Sequence, residues 1–65
     1  MELTVNGEDR EVAEGTSART LLDQLGLPDT GVAIAVNGAV HPRSRWDATL
    51  PAYADIEILT AVQGG

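Results

Sequence analysis

The sequence predicts an α+β domain in which a mixed sheet of four to five strands packs on one short helix. Three observations carry this expectation. Residues 1–5 alternate strictly, with Met1, Leu3 and Val5 on one side, which is the period of a half-buried strand. Ala18, Leu21, Leu22 and Leu25 fall at i, i+3, i+4 and i+7, a single apolar helical stripe. Asn-Gly occurs twice, at Asn6-Gly7 and Asn37-Gly38, and this pair supplies the positive φ values of tight hairpin turns.

Taken in order, the first strand runs into Asn6-Gly7 and returns through Arg10-Glu11-Val12, and a loop with Gly15 ends the hairpin. Ser17 suits a helix N-cap, since its hydroxyl can accept from an unpaired backbone N–H. Gly26 suits the left-handed position after the helix, Leu27 the apolar contact beyond it, and Pro28 stops continuation. A helix of about two turns is unstable alone, so it must lie across a sheet. Residues 32–36 form the next strand, with Val32, Ile34 and Val36 on the bulky side, and residues 39–41 a short return. Residues 42–54 hold Pro42, Pro51 and several polar groups and read as a loop anchored by Trp46 and Leu50. Residues 55–62 are the last strand. The domain therefore spans residues 1–62, with residues 63–65 as a tail. The repeated Val-Asn-Gly, at residues 5–7 and 36–38, reads as shared turn chemistry.

Composition narrows the function. A chain of 65 residues holds one modest core and buries only about 60% of its unfolded surface. It has no cysteine and one histidine, His41, which removes disulfides, thiolate metal sites, thiol nucleophiles and histidine-rich metal sites. Ten acidic residues against four arginines give a net charge of −6. That charge disfavours nucleic acid and anionic membranes and favours basic protein surfaces. There is no lysine, so the side chains offer no amine for acylation. The longest apolar run, residues 32–36, is far too short to cross a bilayer, and Met1 leads into a charged, alternating segment with no apolar signal core. The expected location is the cytoplasm.

Enzyme readings find little support. His41, Ser44 and Asp47 are close in sequence, but a hydrolytic triad needs a rigid nucleophile turn and an oxyanion hole, and they read as loop residues. Glu8, Asp9, Glu11 and Glu14 lack calcium-loop spacing and read as a solvated edge. The glycines match no phosphate-binding spacing. Arg43 and Arg45 either contact a partner or its nucleotide, or pair with nearby carboxylates; Trp46 is either a core anchor or a partner contact.

The carboxyl end is different. Two terminal glycines occur by chance in about one chain in two hundred, and here an apolar strand runs into them with only Gln63 between. Glycine has no Cβ, so Gly64 can thread a narrow channel and Gly65 presents an open carboxylate. Such a carboxylate can attack the α-phosphate of ATP to form an acyl-adenylate and pass to a sulfur or nitrogen nucleophile. With Ile56 and Ile58 inward, Glu57, Leu59 and Ala61 point outward. With Ala33 and Ala35 they form a flat apolar patch leading towards the tail, an expected docking surface.

The whole chain resembles the thiamine-biosynthesis sulfur-carrier proteins, which have the ubiquitin-like β-grasp fold and end in Gly-Gly. The matching residues are Val5-Asn6-Gly7, Leu21-Leu22 with Leu25, Ala35-Val36-Asn37-Gly38, Pro42-Arg43 with Trp46, and most specifically the run from Ile56 to Gly65. The resemblance implies a carrier and not an enzyme. An E1-like adenylyltransferase using ATP and magnesium activates Gly65, a sulfur-donating persulfide enzyme supplies sulfur, and the thiocarboxylate serves thiazole synthase. The chain itself holds no cofactor, and Gln63 and Gly64 enter the partner's active site while Arg43 joins the docking surface. The family usually carries Gly-Asp before the last strand, where this chain has Ala54-Asp55. Alanine resists positive φ, so that turn is expected to form differently. Alternatives are the small subunit of molybdopterin synthase, which uses the same tail chemistry, a ubiquitin-like modifier of lysines, and a plain binding module with an incidental tail.

Overall fold

A computed structural model describes residues 1–61. The expectations for Val62, the tail boundary, Gln63, Gly64 and Gly65 lie outside the described residues. The order of elements is β1 (Glu2–Val5), β2 (Glu8–Glu11), α1 (Ala18–Gln24), β3 (Val32–Val36), β4 (Ala39–Val40), a 3-10 turn (Arg43–Arg45) and β5 (Asp55–Thr60). The five strands form one sheet in the order β2-β1-β5-β3-β4. β1 and β5 run parallel, while the β1–β2, β3–β4 and β3–β5 pairs are antiparallel. This is the expected mixed sheet with one helix, the β-grasp arrangement.

Both Asn-Gly pairs form the turns their chemistry favours. Asn6 and Gly7 have φ of 49° and 83°, Asn37 and Gly38 φ of 51° and 82°, positive at both centres as a two-residue hairpin of this type requires. The first turn is so tight that Val5 pairs with Glu8. The returning strand therefore begins at Glu8, two residues earlier than the sequence pattern gives. Every side chain of β2 is exposed, so this strand has no apolar face for the pattern to reveal. Val12 follows it into the core.

Helix α1 is closed at both ends by its own sequence. The Ser17 hydroxyl accepts from the Thr20 N–H at 3.2 Å, and the Arg19 N–H donates to the Trp46 carbonyl at 3.0 Å. These satisfy donors that the first helical turn leaves without partners. At the other end the Gly26 N–H reaches the Asp23 carbonyl at 3.1 Å and the Leu27 N–H the Leu22 carbonyl at 2.9 Å. With Gly26 at φ 71°, this is a Schellman closure.

The core joins Leu3, Val5, Ala18, Leu21, Leu22, Ile34, Ile56 and Ile58 with Trp46, Leu50 and Ala54 from the long loop. Burying each large aliphatic side chain contributes about 1.5–3 kcal/mol. Trp46 and Leu50 are anchors, as expected, each 2% exposed. The loop is also stitched to the start of the helix, where the Leu50 N–H donates to the Thr16 carbonyl at 2.9 Å. Before β5 the positive φ sits on Tyr53, at 62°, and not on Ala54, whose methyl group is buried. The left-handed residue of this turn is thus Tyr53, one place before Ala54. Among the described residues no helix is long and apolar enough to cross a membrane.

Candidate functional site

The strand nearest the carboxyl end, β5, lies in the middle of the sheet between β1 and β3. Ile56 and Ile58 point into the core, while Asp55, Glu57 and Leu59 point away from it. Ladder register then decides what surrounds Leu59. Directly opposite residues share a face of the sheet; Ala33 is opposite Leu59 and Ala35 opposite Glu57, and Val40 is opposite Ala35. The exposed side chains Leu59 (69% exposed) and Val40 (84%) thus share one outer surface with Ala33 and Ala35. Two shallow hollows flank Leu59. One of about 430 Å³ is lined by Ala33, Leu59, Thr60 and Ala61 among others, and one of about 190 Å³ by Ala33, Ala35, Val40, Glu57 and Leu59 among others.

Four residues singled out by sequence, Ala33, Ala35, Leu59 and Ala61, are therefore brought together beside the end of β5. Val40 was missed. Its signal was available, because a two-residue turn at Asn37-Gly38 fixes residue 40 opposite residue 35. The rest of the outer face is acidic. The same register rule places Glu2 beside Glu11 and Thr4 beside Asp9, with Asp55 next to Thr4. The outer surface is thus acidic on β2, β1 and the first half of β5, where Asp55 and Glu57 point outward, and apolar on β3, β4 and the end of β5.

Arg43 is not part of that apolar half. Its guanidinium lies over the Trp46 ring at 4.7 Å from the centroid, and Arg19 lies over the same ring at 5.8 Å. The cations are also tied to carboxylates. Arg43 reaches Asp29 at 3.8 Å, and Arg19 reaches Asp29 at 3.6 Å and Asp47 at 2.8 Å. The Trp46 indole N–H donates to the His41 carbonyl at 3.2 Å. Core anchoring describes the contacts of Trp46 and ion pairing those of Arg43. His41 and Asp47 are not partners of each other: the imidazole Nε2 lies 3.1 Å from the Arg45 carbonyl, and Asp47 is occupied by Arg19. No three His, Asp or Glu side chains among the described residues gather as a metal site would require.

Asn6 has a role the sequence reading did not give it. Its side-chain oxygen accepts from the Ile58 N–H at 2.8 Å, and its side-chain amide donates to the Ile58 carbonyl at 3.2 Å. A motif read only as a turn therefore also binds β5, two residues before that strand ends.

Comparison with known proteins agrees with the β-grasp fold. No curated protein matches the chain significantly, but the ThiS family model matches residues 3–65. The chain is similar to a thiamine biosynthesis protein (ThiS) from Geobacter metallireducens, known from a crystal structure. The two are 35% identical over 100% of each chain, with a TM-score of 0.79. It is also similar to a thiamine biosynthesis protein of the same organism solved by NMR. Here identity is 33% over 100% of this chain and 88% of that one, and the TM-score is 0.80. With a family match over nearly its whole length and full-length structural relatives above 30% identity, the chain belongs to the ThiS family.

Proposed function

We propose that this protein is a sulfur carrier in thiamine biosynthesis, with the Gly65 carboxylate as the group that carries sulfur. The observation behind this reading is the position of β5 in a ThiS-family chain: a central strand, paired on both sides, continues in sequence into Gln63-Gly64-Gly65. The globule is a handle and the tail a probe. In an E1-like adenylyltransferase, a Gly65 carboxylate oxygen attacks the α-phosphorus of ATP and pyrophosphate leaves. The outer sulfur of a persulfide enzyme then displaces AMP from the acyl carbon to give an acyl disulfide. A second thiol of the donor system attacks the S–S bond, leaving a disulfide on the donor and the thiocarboxylate on Gly65, which gives its sulfur to thiazole synthase. ATP and magnesium belong to the activating partner, and the steps take place in the cytoplasm. Gln63 and Gly64 form the slender approach into the partner's site, where side chains would not fit.

The divided outer face supports a docking role. Leu59, Ala33, Ala35, Ala61 and Val40 offer a flat apolar contact, and the adjacent carboxylates complement a basic rim, in keeping with the net charge of −6. Long-range attraction of this kind mainly raises the rate of encounter. Arg43, held against Trp46 and Asp29 on the helix side of the sheet, stands outside this surface.

Mass spectrometry tests the reading. After incubation with the cognate activating enzyme, ATP and a sulfur donor, the protein should gain a sulfur in place of one oxygen at Gly65, and a chain lacking Gly65 should not. An unchanged mass with partners active on another carrier overturns it.

A further inference from the structure

We propose that Asn6 is a positioning residue for the carboxyl-terminal tail: its carboxamide stands in for a strand beside Ile58 and sets where β5 becomes held on one side alone. The proposal rests on the carrier reading and adds to it the residue that fixes the tail's point of departure. β1 pairs with β5 only at Thr4 and Val5, opposite Asp55 and Ile56, with one further backbone bond from the Asn6 N–H to the Ile56 carbonyl at 2.9 Å. The main chain then turns away through Asn6-Gly7. A continuing parallel strand would next offer an acceptor to the Ile58 N–H and a donor to its carbonyl. Asn6 supplies both from one side chain. Neither group of Ile58 can turn to β3 instead, because Ala61 bonds Gly31 and the antiparallel ladder alternates, leaving the Ile34–Ile58 pair without mutual bonds. Beyond Ile58, among the described residues, β5 has hydrogen-bonded partners only on the β3 side, ending with the Ala61 N–H on the Gly31 carbonyl at 2.7 Å.

The turn does not need this side chain. Glycine takes positive φ without strain, so Asn6→Gly keeps the hairpin and deletes both bonds to Ile58. Asn37 is the matched control. It occupies the same turn type, but its side-chain oxygen accepts from the Asp55 N–H at 2.9 Å, at the far end of β5 from the tail.

The experiment combines amide exchange with kinetics of adenylation by the E1-like enzyme. In Asn6→Gly, exchange at the Ile58 amide should rise at least tenfold relative to Leu21 in α1, and KM for the carrier should rise three- to tenfold with kcat within twofold. Asn6→Asp, which retains the acceptor for the Ile58 N–H, should restore part of the protection. Asn37→Gly should lower the melting temperature comparably yet leave KM unchanged. A wild-type KM in Asn6→Gly, or an equal rise in Asn37→Gly, overturns the proposal. If the wild-type chain itself accepts no adenylate from an active enzyme, the carrier reading falls instead, and the exchange rates alone decide for or against the clamp.

Discussion

Single residues in this chain carry separable tasks. Ser17 closes the helix with one hydroxyl, and replacing a good N-cap by alanine costs about 1 kcal/mol. In a domain this small that is a fall of about 4–8 °C in Tm, so Ser17→Ala should melt by that much earlier in a calorimetric scan. Tyr53 works in the other direction. It is a bulky residue at φ 62° with its side chain 79% exposed, so it bears left-handed strain and buries little in return. Asparagine tolerates that backbone better, and Tyr53→Asn should stabilise the fold by about 0.5–1 kcal/mol in urea titrations. The Met1 amine donates to the Val12 carbonyl at 2.6 Å and pairs with Glu11 at 3.0 Å and Glu14 at 3.3 Å. Its hydrogen bond to Glu11 above all, with help from Glu14 and against some desolvation, holds its pKa above the ordinary 8.0. In a protein that begins at Met1, this contribution is complete below the unfolded value. It disappears as the pH rises through the higher folded value. Stability should therefore decline from about pH 8 upward, and acetylating the amine should abolish that slope.

At the level of elements, α1 is too short to stand alone and depends on Leu21 and Leu22, each 1% exposed. Leu22→Ala should cost about 2–5 kcal/mol, against a total of about 3–10 kcal/mol for a domain of this length. Most of the urea midpoint should be lost. The helix was legible in the sequence because stripe, cap and terminating glycine agree with one another. β1, β3 and the core side of β5 were legible through alternation, and Trp46 and Leu50 through bulk in a polar loop. β2 was not fully legible, since Glu8 and Asp9 carry no apolar face. Asn6 was missed for a different reason: its turn propensity already explained its presence, and nothing in a linear pattern shows that residue 58 lies within reach of residue 6. The apolar patch was legible on β3 and β5, while Val40 needed the ladder register. The contacts of Arg43 depend on how the loop folds over Trp46, which no local spacing encodes.

The molecule as a whole is divided by its sheet, with helix and loop on one side and a surface part acidic, part apolar on the other. Leu59→Arg should weaken binding to the activating enzyme at least about tenfold, the size expected of a central interface residue. Because Leu59 is largely exposed, the Tm should move by less than about 2 °C. The two readouts, measured by calorimetric binding and thermal melting, should separate. Raising ionic strength from about 0.05 to about 0.5 M should slow association much more than it speeds dissociation. Stopped-flow kinetics would register that difference.

The parallel pairing of β1 with β5 joins the first strand to the last through the centre of the sheet. A ribosome delivers β5 after every other element, and until it emerges β1 and β3 have no neighbour to bridge them. The hairpins and helix can form beforehand, but the globule cannot close. Products cut short before residue 55 thus lack their middle strand. They would meet the cell's proteases as open chains instead of competing, inert, for the partners of finished ones.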